Sequence, residues 1–171
     1  IESAEWAAAA SAVAAHARVL IYDRANRGAS DPAPKPRTAQ DAVQDLRMLL
    51  ERADIAGPLV LVGHSFGGLL ARLHAHQHPA DVAAVVLVDS MHEDQFDVLG
   101  PVFPPAQAGE PEYIANMRRF WQAGWRDPLN NIEGMDLLAT REQLRMIGTL
   151  DDMPLRILTA GGYSNEAALE L

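Results

Sequence analysis

Four short, mainly apolar runs punctuate this chain of 171 residues, the fourth broken by Arg156, and segments with helical spacing lie between them. The runs are Val19-Leu20-Ile21-Tyr22, Leu59-Val60-Leu61-Val62, Val82 to Val88, and Leu155 to Thr159. A strand buried on both faces of a parallel sheet needs no polar alternation, so runs of this kind read as its strands. Ahead of the first, Glu5 to Ala15 is a helix on alanine content. Arg24 to Arg37 is a loop, punctuated by Gly28, Pro32, Pro34 and Pro36. Thr38 is then an N-cap with Asp41 as an imperfect capping box, and Val43, Leu46, Leu49, Leu50 and Ala53 follow at helical spacing. The helix after the second run stops at His78, because Pro79 disfavours its continuation. Beyond Val88 the character changes. Phe96 to Ala108 is a proline-bearing, irregular connection. Glu112 to Arg126 carries Tyr113, Met117, Phe120, Trp121 and Trp125 at helical spacing, and Glu133 to Leu150 holds further helical periods. Strands and helices alternating in this way predict a parallel α/β sheet with right-handed crossovers.

The second run leads into Gly63-His64-Ser65-Phe66-Gly67-Gly68, and an amphipathic stretch follows at once. Strand, G-x-S-x-G and helix together read as a nucleophile elbow. So sharp a turn strains its central residue, and side chains two positions to either side would collide, which accounts for Gly63 and Gly67. The serine hydroxyl is then lifted above the sheet at a helix N-terminus, where free N–H groups and the helix dipole favour negative charge. The bland reading of the same residues is a glycine-rich turn with a structural serine.

The elbow, the stretch Tyr22-Asp23-Arg24-Ala25-Asn26-Arg27-Gly28-Ala29-Ser30-Asp31 and the stretch Val86-Leu87-Val88-Asp89-Ser90-Met91-His92-Glu93-Asp94-Gln95 together resemble a bacterial serine hydrolase of the α/β-hydrolase fold. The resemblance is close from Trp6 to Gln95 and thin from Phe96 to Leu171. It implies a mainly parallel sheet with flanking helices, a core over residues 1–95, a helical cap over 96–150 and a return to the core over 151–171. It further implies Ser65 as nucleophile and the Phe66 backbone N–H as one oxyanion donor. The second donor normally follows an earlier strand in a His-Gly motif, and none precedes Trp6, so that donor is expected upstream of Ile1. The acid is expected at Asp89, at the end of the third strand as in some lipases of this fold, with Glu166 or a residue beyond Leu171 as alternatives. The base should be a histidine after the last strand, but none of the six histidines comes after His92. The base is therefore expected outside the chain, and the 171 residues alone are expected to be inactive.

The histidines within the chain have other readings. His64 neighbours Ser65 in sequence but points elsewhere, in a structural or supporting role. His74 and His78 have zinc-helix spacing, but Ala75 stands where that motif needs glutamate, so they read as a solvated helix end complementing the dipole. His92 could border the pocket, though as base it would break the chain order. Asp23, beside Arg24, reads as a loop anchor or ion pair. A serine at the elbow argues against dehalogenase and epoxide hydrolase chemistry, which use aspartate there. Hydrolysis of carboxylic esters or related acyl substrates through an acyl-enzyme is the leading reading. The alternative is a non-catalytic binding protein of the same fold or an inactive fragment.

Composition narrows the partners. Fourteen basic and twenty-three acidic side chains give a net charge of −9, with no basic cluster longer than Arg118-Arg119. That argues against nucleic acid and anionic membrane surfaces, and for a small-molecule substrate. The absence of cysteine removes disulfides and thiolate chemistry. No metal or cofactor is called for. No apolar run approaches the roughly 18 residues of a membrane span. Glu2 and Glu5 occupy the place where a signal peptide would carry basic residues.

Overall fold

The computed structural model describes residues 2–150 and 152–160. Its three strands, β1 (Leu59–His64), β2 (Val82–Val88) and β3 (Leu155–Leu158), form a parallel sheet in the order β1-β2-β3. Val62 pairs with Val86, and Val86 with Arg156, so the C-terminal ends of β1 and β2 finish level, His64 opposite Val88. Helices α1 (Ala7–Ala14), α2 (Ala39–Arg52), α3 (Phe66–Gln77), α4 (Gln95–Leu99), α5 (Glu112–Gln122) and α6 (Leu137–Arg145) make up the rest, with short 3-10 turns between them.

Helix α3, the crossover between β1 and β2, is apolar on two sides and belongs to two cores at once. Ala71 and Ala75 pack on Val82, Val85 and Leu87 of β2, with Leu61 of β1 alongside. Leu69, Leu70 and Leu73 pack on Ala39, Ala42 and Val43 of α2 and Leu144 of α6. The small alanines face the sheet and let the helix axis come close, while the leucines fill the wider gap between helices. The start of α2 is closed by α6. The Ala39 N–H donates to Thr140 Oγ1 (3.0 Å) and the Gln40 N–H to Gln143 Oε1 (3.1 Å). Thr38 and Asp41 complete the cap, each accepting the other's backbone N–H. The capping box expected to be imperfect is thus reciprocal, because the shorter aspartate still reaches the Thr38 N–H at 2.7 Å.

Several expectations need correction. Val19 to Tyr22 is not a strand: no ladder partner for it lies among the described residues, and Val19, Leu20 and Ile21 remain exposed. An apolar run has the content of a strand but becomes one only through a neighbour's hydrogen bonds. The other strands are not covered on both faces either. Val60 and Val62 of β1 are 59% and 51% exposed, because among the described residues α3 packs on only the opposite face. Phe96 to Ala108 is not wholly irregular, since α4 occupies its start with Phe96 buried. Glu133 to Leu150 is helical only over α6, where Asp136 caps the Ala139 N–H. The helix at Glu112 stops at Gln122, and a 3-10 turn, Gly124–Arg126, continues it. The α-helix expected from Glu5 to Ala15 forms over Ala7–Ala14, after a 3-10 turn at Ser3–Trp6, and it buries no residue.

The end of α3 is not a solvated cationic terminus. His74 is 2% exposed, and its Nδ1 has no hydrogen-bond partner among the described residues. Its ring meets that of His78 edge-on at 5.1 Å, and His78 Nδ1 lies 2.7 Å from Arg47 Nη1. Burial first, then the nearby His78 and Arg47, push His74 down to about 4, with Asp81 opposing. The unfolded chain therefore binds a proton near pH 6.5 that the folded protein resists until about pH 4. Stability present above pH 6.5 should drain away as pH falls between those values. Denaturant midpoints followed from pH 7.5 to 4 should fall more steeply for the wild type than for His74→Leu. Equal slopes would refute this.

Candidate functional site

Ser65 is the single residue between β1 and α3, with φ 50° and ψ −122°. A side chain there costs about 1–3 kcal/mol and persists only where surroundings impose it. The imposing contacts are backbone ones. The Ser65 N–H donates to the Val88 carbonyl (3.2 Å), and its carbonyl accepts from the Gly68 N–H (3.0 Å) and the Met91 N–H (3.1 Å). The turn is thereby stitched to the end of β2 and the loop beyond. The hydroxyl does not cap the helix, which leaves it free for other chemistry. Phe66 is the first helical residue, so its N–H is among the unbonded donors at the positive end of α3.

The glycines divide differently from the expected pair. A Cβ on Gly63 would lie 2.6 Å from the Gly67 carbonyl carbon and 2.7 Å from Gly68 Cα, so no side chain fits. One on Gly67 would meet nothing nearer than Arg24 Nη1 at 4.0 Å. The close approach on the far side of the serine falls on Gly68, whose Cβ would lie 2.6 Å from Ser90 Cβ. Sequence reasoning passed over Gly68 because Ser90 is distant in sequence.

Asp89 follows β2 directly, in register one step beyond the His64–Val88 pair, and so stands beside Ser65 at the same sheet edge. It is exposed, has a positive φ of 42°, and donates its N–H to the Leu158 carbonyl at 2.7 Å. The loop after it is anchored by Glu93, which accepts from Arg72 Nη1 and Nη2 at 2.6 and 3.2 Å. Burial alone would raise the Glu93 carboxyl, but the Arg72 hydrogen bonds hold it below its ordinary value. Glu166 lies outside the described residues.

No histidine nitrogen is hydrogen-bonded to the Ser65 hydroxyl among the described residues. His92 is exposed, with Nδ1 accepting the Asp94 N–H at 3.1 Å. His74 and His78 sit at the opposite end of α3, and no group of three or more metal-ligating side chains is found among the described residues. Asp23 is a loop anchor. Its carboxylate accepts the Ser3 and Ala29 N–H groups at 2.7 and 3.1 Å, which hold it below the usual range, and its carbonyl accepts Ser30 Oγ.

The alpha/beta hydrolase fold family model matches residues 2–156. The chain belongs to the α/β-hydrolase fold family. It is 30% identical over 128 residues to the cis-3-alkyl-4-alkyloxetan-2-one decarboxylase of Xanthomonas campestris pv. campestris, covering 70% of this chain and 39% of that protein. It is 44% identical over 73 residues to the sn-1-specific diacylglycerol lipase of Mus musculus, covering 42% of this chain and 23% of that one. A hydrolase from Pseudomonas aeruginosa PA01 superposes with a TM-score of 0.56 at 20% identity, over 94% of this chain and 78% of that one, a likeness of fold. The chain spans between 12% and 39% of the length of the curated relatives it matches. Among the described residues, no helix of this α/β-hydrolase-fold chain is long and apolar enough to cross a membrane.

Gly63→Ala should destabilise the protein by about 1–3 kcal/mol through overpacking. Gly67→Ala, with space available in the first turn of a helix, should be neutral or stabilising by up to about 1 kcal/mol. Urea titrations of the two variants test the contrast, and equal losses would overturn it.

Proposed function

We propose that this chain carries the nucleophile and acid of a serine hydrolase that cleaves carboxylic esters or related acyl substrates through an acyl-enzyme. The observation that carries the reading is the backbone of Ser65, strained to φ 50° between a parallel strand and a helix N-terminus in a chain of this family. The Gly63–Gly67 turn is the nucleophile elbow. The Ser65 hydroxyl attacks the acyl carbon, and the negative charge that develops on the carbonyl oxygen is received by the Phe66 N–H at the positive end of α3. Asp89 is the acid that orients the base, one strand over at the same edge. A base must take the serine proton. None of the six histidines is bonded to Ser65, so the reading assigns the base to a histidine outside the 171 residues. The substrate is a small molecule. The lipase among the relatives supports acyl chemistry, while the decarboxylase shows that related chains serve other reactions.

Ser65→Ala in the full-length protein should lower turnover of a nitrophenyl ester on the order of a million-fold and abolish labelling by a fluorophosphonate. Retention of more than a few per cent of wild-type turnover would refute the nucleophile. Failure of the wild type to label would favour a non-catalytic role.

For the acid, Asp89→Asn should cost roughly four orders of magnitude in kcat, as loss of the orienting carboxylate does in serine proteases. Normal turnover in Asp89→Asn together with loss in Glu166→Gln would move the acid to the later position.

A further inference from the structure

The Arg24 guanidinium lies against the first turn of α3. Its Cζ is 5.7 Å from the centroid of the Phe66 ring, and Nη1 is the nearest atom to Gly67's open side. A cation at a helix N-terminus opposes the dipole and is normally disfavoured. Here it is held in place by Glu133, which accepts from Arg24 Nε and Nη2 at 2.7 and 2.6 Å. Both side chains are largely withdrawn from water, at 23% and 13% exposure, so the pair is a fixed fork and not a loose surface contact. Glu133 is itself immobilised. Its carbonyl accepts Asn26 Nδ2 (3.1 Å), and the next residues bond to Arg37 through the Arg37 N–H to Gly134 carbonyl (2.8 Å) and the Asp136 N–H to Arg37 carbonyl (2.6 Å). On its other side the Phe66 ring packs with Met91 and Ile147 against the core shared by α2, α3 and α6.

We propose that Arg24, locked by Glu133, is a positioning residue for the Phe66 N–H, gripping the ring of that residue and placing positive charge beside the site of the developing oxyanion. The inference rests on the Ser65 reading. It explains why a part-buried ion pair spans two segments 109 positions apart in the chain to reach the start of one helix. Glu133, which also lies 3.8 Å from Arg27 Nε, offsets part of the cation's charge, and because Nη1 faces the helix while the carboxylate lies behind, the pair points its positive end at the turn.

The test uses the full-length protein, with Arg24→Met, Arg24→Lys and Glu133→Gln compared by steady-state kinetics and by affinity for an alkyl boronic acid, a tetrahedral mimic. Arg24→Met should lower kcat about 10- to 100-fold with KM within about twofold, and weaken the boronic acid by the same factor. Arg24→Lys should recover part of the loss. Glu133→Gln, close in shape, should show a smaller loss of the same kind and stands in should Arg24→Met fail to fold. In a folded variant, kcat within twofold of wild type, or a loss confined to KM with boronic acid affinity unchanged, would overturn the proposal. Ser65→Ala separates the two readings: if it is inactive while Arg24→Met is normal, only the positioning role fails. If Ser65→Ala stays active, the serine reading falls and this inference with it.

Discussion

The site depends on a steric constraint: β1 must end and α3 must begin with only one residue between them. That geometry brings the first turn of α3 onto the end of β1 and the loop after β2, closer than side chains allow, and so it exists only where Gly63 and Gly68 lack a Cβ. Ser65 absorbs the change of direction in an unfavourable backbone conformation. The cost, about 1–3 kcal/mol, is offset because α3 is buried on two sides and cannot relax without opening both cores.

Charged residues act mainly as ties between distant segments. Arg72 and Glu93 fasten the loop after β2 to α3, Arg24 and Glu133 fasten the loop before α2 to the approach of α6, and Arg37 pairs with Asp45 within the α2 region. Exposed ion pairs contribute little to stability, but bidentate pairs with both partners mostly shielded hold geometry well. Thr140 and Gln143 work alongside them, satisfying two of the N-terminal donors of α2 from another helix. The result is that α2, α3 and α6 are tied to one another by shared packing and hydrogen bonds beside the turn at Ser65.

Belonging to the α/β-hydrolase fold family restricts the architecture more than the reaction. Relatives of this chain include a lipase and a decarboxylase, and a shared sheet with its flanking helices does not choose between them. What argues for acyl chemistry is local: a serine at the strained position, an unbonded N–H beside it, and a carboxylate at the end of the adjacent strand.

Features that depend on neighbours in the chain were legible from sequence. The G-x-S-x-G turn, the apolar runs of β1 and β2, the stop before Pro79 and the cap at Thr38 all follow from a few consecutive residues. The placement of Asp89 beside Ser65 was also within reach, because parallel strands joined by one crossover helix end at the same edge. Other features were decided only in three dimensions. Val19 to Tyr22 has the composition of a strand, but pairing is a relation to another strand that composition does not encode. Gly67 and Gly68 look alike in sequence, and only the arrival of Ser90 separates them. His74 reads as one of three polar residues on a helix end until Arg47 and His78 close over it, and Arg24 reads as a loop arginine until Glu133 takes hold of it. Local conformation is written in short-range sterics and hydrogen bonding, whereas burial, charge pairing and strand partnership arise from residues that meet only once the chain has folded.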